Sequence, residues 1–152
     1  MVNLHDYSAV AISISGGKDS QTILDVMMEQ VCVQNYAGIV VAVHADTGAE
    51  WPQSLPHCDM LCKHYGIPLV VGKPFRALPA HIERRCCMMA AQLPRGKPGW
   101  PSPQQRYCTS DCKRAPIQKE LRIIGRTGNR ILSVTGERRQ ESSHRAKLPE
   151  FS

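Results

Sequence analysis

The chain has 152 residues, of which 42% are hydrophobic and 21% charged, values that fit one folded domain over residues 1–152. No apolar run approaches the ~20 residues of a membrane span, and residues 1–6 lack the basic start and apolar stretch of a signal peptide. We therefore expect a cytoplasmic protein without a membrane segment. The net charge of +6 is compatible with a pocket for an anionic small molecule or with a nucleic-acid surface.

The first half of the chain alternates short apolar runs with amphipathic segments. Continuous apolar runs of this length are typical of buried parallel strands, and apolar residues at helical spacing are typical of helices. The predicted elements are a strand over 8–14, a helix bearing Ile23, Leu24, Val26, Met27 and Val31, a strand over 38–44 and a helix over 53–65 that Gly66 ends.

The second half continues the same alternation. The predicted elements are a strand over 67–71, a helix over 77–92, a loop over 93–103, a helix over 115–124 with Pro116 in its first turn, and a strand over 130–134. Strands that alternate with helices imply an α/β fold with a mostly parallel sheet covered on both faces.

Three polar segments each follow a predicted strand: residues 15–20, 46–48 and 136–139. Ligands of parallel α/β sheets bind beyond the carboxyl ends of the strands. We therefore expect these three segments to meet at one edge of the sheet.

The segment over residues 15–20 has the sequence SGGKDS and is called the glycine loop below. Two glycines allow a sharp turn, the N-terminus of the following helix carries partial positive charge, and Lys18 adds a full one. Ser15 and Ser20 contribute hydroxyl groups, so the loop can hold an anion. It lacks the spacing of a Walker A loop. The alternative is a plain strand-to-helix turn capped by Asp19 or Ser20.

Four stretches in order, over residues 15–20, 44–50, 108–117 and 136–145, resemble motifs of one family. The chain is similar to the phosphoadenosine-phosphosulfate (PAPS) reductase-like branch of the adenine-nucleotide α-hydrolase superfamily, the PP-loop ATP pyrophosphatases. The resemblance covers nearly the whole chain.

The resemblance implies a Rossmann-like, three-layer α/β/α fold that holds nucleotide phosphates in the glycine loop and adenosine near Asp46. It also implies that Lys113, Arg138 and Arg145 face the reacting phosphate or sulfate, a role that suits fixed cations. The implied nucleotide-binding residues are Ser15, Gly16, Gly17, Lys18, Asp19, Ser20, His44, Asp46, Thr47, Gly48 and Gly136. The implied cofactors are ATP and Mg²⁺, with Asp19 or Asp46 as a carboxylate partner of the metal.

Several of these residues also have a purely structural interpretation. The basic pairs at 113–114 and 138–139 fit solvated charged loops, and Asp46 fits a turn former that caps the next segment. Glu50 is a weaker candidate, because a glutamate near a helix start is common.

Seven cysteines are present, and an odd number without an export signal argues against a disulfide framework. Cys58 and Cys62, four apart on a predicted helix, are expected in the core, and Cys32 likewise. An iron–sulfur cluster would need Cys86, Cys87, Cys108 and Cys112, but their spacing is not C-x-x-C. Related reductases use adjacent cysteines where this chain has Cys108-Thr109, so a cluster is not favoured. Cys108 remains a candidate nucleophile or sulfur carrier if nearby Lys113 and Arg114 favour its thiolate.

Three functions compete. The first is cleavage of ATP between its α- and β-phosphates to adenylate an acceptor in sulfur-transfer or thiolation chemistry, which the complete SGGKDS sequence favours. The second is reduction of PAPS or adenosine phosphosulfate, but reductases of that kind carry a catalytic cysteine in a C-terminal tail, and we expect none after Pro149. The third is a non-catalytic nucleotide-binding subunit. The acceptor is left open, as is a partner protein or a homo-oligomer.

Overall fold

The structure, a computed structural model, describes residues 2–90, 99–102, 105–126, 130–136 and 147. Its elements are a 3₁₀ turn (Leu4–Asp6), β1 (Ala9–Ser13), α1 (Lys18–Val33), β2 (Ile39–Ala45), α2 (Ser54–Tyr65), β3 (Leu69–Gly72), α3 (Leu78–Ala90), α4 (Tyr107–Thr109), a π-helical segment (Ser110–Arg114), α5 (Ala115–Gly125) and β4 (Ile131–Val134). The alternation of strands and helices predicted from the sequence is confirmed.

The four strands form one parallel sheet in the order β3-β2-β1-β4. Ala9 of β1 pairs with Ile39 of β2 on one side and with Ile131 of β4 on the other. β1 is therefore central, and its residues Ala9 to Ile12 are buried. A strand buried on both faces reads as a continuous apolar run, which is why the sequence showed it so clearly.

Helices cover both faces of the sheet and give the three-layer architecture. On one face, Leu24 of α1 and Leu61 of α2 pack with Val10 and Ile12 of β1. On the other face, a smaller cluster joins α5 to the sheet. It comprises Ala11, Val41, Val43, Val70, Ile117, Leu121, Ile124 and Ile131. The predicted Rossmann-like fold is confirmed.

The core face of α1 is narrower than its apolar pattern suggested. Leu24 and Met27 are buried, whereas Val26 is 45% exposed. Cys32 is also exposed, so its predicted place in the core is wrong. At 3.6 residues per turn, Cys32 lies about 80° around the helix from Leu24 and about 140° from Met27. It therefore faces away from the sheet.

The main addition to the predicted elements is the helical stretch before α5, which comprises α4 and the π-helical segment. Gly66 ends α2 as predicted, with a φ of 65° in the left-handed region. Of the predicted loop over 93–103, residues 93–98 and 103 lie outside the described residues. Among the described residues, no helix has both the length and the apolar character needed to cross a membrane.

Candidate nucleotide-binding site

The strand order places one crevice at the carboxyl edge of the sheet. β1, β2 and β3 proceed towards one edge, and β4 then returns to pair with the opposite side of β1. Open α/β sheets bind ligands at such a reversal, beyond the carboxyl ends of the two strands. The glycine loop follows β1 here, and Gly136 follows β4.

Gly136 lies directly against the glycine loop. A Cβ atom built on Gly136 would be 3.3 Å from the backbone oxygen of Asp19 and 3.6 Å from Cγ2 of Ile23. Two of the three segments that were expected to converge are therefore in contact. A side chain at position 136 would press on the first turn of α1.

The backbone of the glycine loop turns at Gly16, which has a φ of 76°. L-residues with side chains rarely adopt this conformation. A Cβ atom on Gly16 would also lie 3.2 Å from the backbone oxygen of Ser54, at the start of α2. The turn therefore brings the N-terminal ends of α1 and α2 close together.

The hydroxyl group of Ser20 holds the loop from inside. Its Oγ donates to the backbone oxygen of Gly17 at 2.8 Å and accepts from the backbone N–H of Ser15 at 3.1 Å. Ser20 is buried, so these hydrogen bonds are shielded from water. The loop is thus fixed by its own residues, without a ligand.

No side chain caps the N-terminus of α1. The N-cap residue is Gly17, and no side-chain hydrogen bond caps the first turn. Of the two residues in the alternative interpretation, Ser20 bonds to the backbone of Ser15 and Gly17, as a residue that stabilises the turn would. Lys18, the first residue of α1, is exposed, and its ammonium group forms no ion pair with a described residue. A helix N-terminus beside an unpaired cation favours an anion.

His44 connects the end of β2 to the start of the glycine loop. Its Nδ1 donates to the backbone oxygen of Ile14 at 2.9 Å, because a carbonyl can only accept. The ring is buried, and Cys58 Sγ lies 3.7 Å from the same nitrogen. Its Nε2 has no hydrogen-bond partner in the described part of the chain. His44 therefore holds the backbone at Ile14, the residue directly before the glycine loop, by a buried hydrogen bond.

Asp46 shapes the turn that follows β2. Its Oδ1 accepts from the backbone N–H of Gly48 at 3.1 Å, and its Oδ2 lies 3.5 Å from Lys73 Nζ. Gly48 has a φ of 74°, and a Cβ atom there would lie 2.8 Å from Cβ of Ala77. The interpretation of Asp46 as a turn former thus has direct support. The Asp46 side chain is 28% exposed, so a ligand can still reach its carboxylate.

Thr47 and Glu50 connect this turn to the π-helical segment. The buried Thr47 hydroxyl donates to Oε1 of Glu50 at 2.9 Å, and Lys113 Nζ lies 3.6 Å from the same oxygen. The start of α5, which directly follows the π-helical segment, packs closely on the end of β3: a Cβ atom built on Gly72 would lie 3.1 Å from the backbone carbonyl carbon of Pro116. Lys113 therefore lies at the same edge of the sheet as the glycine loop. Sequence reasoning ranked Glu50 as a weaker candidate, because no local pattern pairs it with Lys113.

Arg138 and Arg145, the other two predicted cations, lie outside the described residues. Their placement against the reacting group stays a prediction.

Tyr107 lies at the centre of the contacts between α3 and α4. Its ring stacks on His81 with centroids 5.1 Å apart, and Arg85 Cζ lies 4.3 Å from its centroid. Its hydroxyl donates to the backbone oxygen of Gly99 at 2.6 Å. These contacts fix the start of the helical stretch that carries Lys113.

The predicted cluster cysteines lie around this contact. Cys108 is half-buried with Sγ 3.9 Å from Thr109 Oγ1, Cys112 is buried, and Cys86 and Cys87 lie on α3. Within the described ranges, no three His, Cys, Asp or Glu side chains form a group that could hold a metal ion. The proposed role of Cys108 as a nucleophile stays a prediction.

The predicted core cysteines have the expected environment. Cys58 and Cys62 are buried. Burial raises the pKa of the Cys58 thiol to about 11, with a smaller contribution from Cys62. Burial also raises the pKa of Cys62 and of Cys112. Their thiols are protonated at neutral pH.

We expect a thiol-specific reagent at pH 8 to modify Cys32 and Cys87 at least about tenfold faster than Cys58, because the thiolate is the reactive form. Both fast-reacting thiols are exposed. Raising the pH to 10 leaves Cys58 mostly protonated, since its pKa is about 11. Peptide mass mapping after timed labelling measures this order, with urea-unfolded protein as the control in which all thiols react. Rapid modification of Cys58 in the folded protein would contradict it.

A cleft of about 510 Å³ opens beside this edge. Ala49, next to Glu50, lines this cleft together with residues of α3, among them Ile82 and Cys86, and with Trp100. The lining is almost entirely apolar.

Comparison with known proteins agrees with the motifs at this edge. The phosphoadenosine phosphosulfate reductase domain matches residues 9–152. An uncharacterized protein of Methanocaldococcus jannaschii is 29% identical over 142 residues, which cover 92% of this chain. The chain spans only 28% of the length of that relative. Because the domain match takes in both the glycine loop and the segment after β4, the chain belongs to the phosphoadenosine phosphosulfate reductase domain family.

Proposed function

We propose that this domain binds ATP and cleaves it between the α- and β-phosphates, so that the adenylyl group passes to an acceptor. The observation that carries the proposal is the start of α1, where the helix N-terminus and Lys18, whose ammonium forms no ion pair within the described part of the chain, flank a pre-formed loop. Such an arrangement suits the β- and γ-phosphates, which leave together as pyrophosphate.

The reaction is a substitution at the α-phosphorus. A nucleophilic atom of the acceptor forms a bond to this phosphorus, the bond to the oxygen that bridges α and β breaks, and the acceptor's proton passes to solvent. No electron transfer is involved. Positioning and fixed charges can supply most of the catalysis in such reactions. We assign Lys113 to the α-phosphate, because it lies at the same sheet edge, with Arg138 and Arg145 as further cations.

Lys113 would change partners when the nucleotide binds. Its ammonium lies 3.6 Å from Glu50, and both side chains are partly exposed. An exposed ion pair of this kind contributes only about 0–1 kcal/mol, so a phosphate can compete for the lysine. Glu50 would then remain hydrogen-bonded to Thr47.

Magnesium fits this site as a companion of the nucleotide. Mg²⁺ commonly binds one or two protein carboxylates together with substrate phosphates, and the partly exposed carboxylate of Asp46 meets that need. Asp19, in the first turn of α1, is the second candidate. When bound, the metal would neutralise phosphate charge.

The reaction class is tested with ATP labelled at either the α- or the γ-phosphate, supplied with Mg²⁺ and candidate acceptors. We expect label from α-ATP in AMP or in the acceptor, and label from γ-ATP in pyrophosphate. ADP and orthophosphate would contradict the proposal. Lys63→Ala is the matched control for Lys18→Ala in this assay. Lys63 is an exposed lysine on α2 and pairs with Asp59.

The family assignment favours reduction of a phosphosulfate as the second candidate. Sulfite release from PAPS with a thiol donor, without ATP turnover, would establish it in place of ATP cleavage. Nucleotide binding without product formation from either substrate would instead support a non-catalytic subunit.

A further inference from the structure

Three basic side chains form a stripe along the outer face of α5. Lys119, Arg122 and Arg126 are spaced i, i+3 and i+7, which places them within about 60° of arc on a helix. All three are exposed, and none forms an ion pair with a described residue. We call these three residues the basic stripe. Glu120, the only acidic residue of α5, lies about 100° or more from each of them.

The opposite, apolar face of α5 is covered by the sheet. Ile117, Leu121 and Ile124 pack against the sheet. A basic amphipathic helix that binds a membrane must bury its apolar face in the lipid, and α5 cannot do this while folded. The basic stripe is therefore a charged surface without an apolar partner surface beside it, apart from the half-exposed Ile123.

We propose that the basic stripe binds the sugar–phosphate backbone of a nucleic acid. From Lys119 to Arg126 the helix rises about 10 Å, which equals the axial length of about three base pairs of a duplex. Exposed cations on one helix face, with the acidic residue of α5 on another face, complement a repeating line of negative charge. The overall charge of +6 favours the same partner.

The helix that carries the basic stripe begins near the candidate site. α5 continues from the π-helical segment, whose Lys113 lies beside Glu50 at the carboxyl edge of the sheet. A strand bound along the helix axis of α5 would therefore extend towards this edge. If the proposed function holds, the adenylated acceptor is then a group on the nucleic acid. This extension rests on the proposed function, whereas binding to the stripe does not.

The test compares two charge-matched variants of the full chain. Arg122→Gln/Arg126→Gln removes two charges from the stripe, and Lys63→Gln/Arg84→Gln removes two exposed charges from α2 and α3. Binding is measured by fluorescence anisotropy at 50 and 200 mM salt, without ATP. The probes are labelled DNA and RNA oligonucleotides of 16 nucleotides, both single-stranded and duplex. Thermal melts verify that both variants fold.

We expect the stripe variant to bind the oligonucleotides about tenfold or more weakly at 50 mM salt, and its salt slope to fall by roughly 1.4–1.8. The control variant should bind like the unmodified protein. Equal weakening in both double variants would overturn the proposal, as would no binding by the unmodified protein. Binding to vesicles that contain phosphatidylserine, without binding to oligonucleotides, would overturn it in favour of a membrane surface. Because no ATP is present, failure here leaves the proposed ATP cleavage intact, and the reverse also holds.

Discussion

Lys18→Ala is expected to weaken ATP binding about ten- to a hundredfold, the effect of losing a charged hydrogen bond of about 1.5–3 kcal/mol. Lys18 is the first residue of α1, and its ammonium forms no ion pair with the described residues. Removing it leaves the glycine loop itself in place, since Ser20 holds that loop through Ser15 and Gly17. The loss should therefore appear in affinity and hardly at all in stability.

Isothermal titration with a non-hydrolysable ATP analogue and Mg²⁺ measures this effect. Lys63→Ala is the matched control, because Lys63 is an exposed lysine whose partner, Asp59, lies on the same helix. Its ATP affinity should not change. Wild-type affinity in a folded Lys18→Ala protein would remove the glycine loop from the proposed site and would leave the fold assignment unaffected.

The sequence was most informative where local chemistry alone decides the structure. The run that forms β1 is buried on both faces, so its apolar residues from Ala9 to Ile12 are continuous and easily recognised. Gly66 marks the end of α2 because a left-handed C-cap favours glycine. The convergence of the glycine loop with Gly136 followed from the carboxyl-edge rule for parallel sheets.

The sequence was least informative where contacts between residues far apart in the chain determine the structure. Glu50 and Lys113 are 63 residues apart, and tertiary packing, such as that of Gly72 against Pro116, brings them together. The helical stretch that begins at Tyr107 has no apolar periodicity of its own, and tertiary contacts with His81 and Arg85 fix its start. Cys32 shows a third limit, because an apolar residue on a helix can still lie outside the buried arc.

Gly16→Ala is expected to lower the free energy of unfolding by about 1–2 kcal/mol and to reduce ATP affinity more than tenfold. The first effect is the usual strain of placing a side chain in the left-handed region, which Gly16 occupies with a φ of 76°. The second has a separate cause. The new Cβ would lie 3.2 Å from the backbone oxygen of Ser54, so the loop must move away from α2. The N–H groups that we propose bind the phosphates would move with it, and such donors act only when correctly placed.

Two other glycines separate these causes. Gly66→Ala introduces the same kind of strain, at a φ of 65°, but no atom lies within 4 Å of the added carbon. It should lose similar stability and bind ATP normally. Gly17→Ala has neither problem, because the φ of Gly17 is −92° and the nearest atom, Ser15 Oγ, lies 3.7 Å away. Its loss of stability should therefore be limited to the poorer N-cap preference of alanine, without left-handed strain or crowding against α2. Urea denaturation and titration calorimetry on the three variants measure stability and ATP affinity. Equal ATP affinity in Gly16→Ala and Gly66→Ala would show that crowding against α2 does not shape the site, because the two variants share every expected effect except that contact.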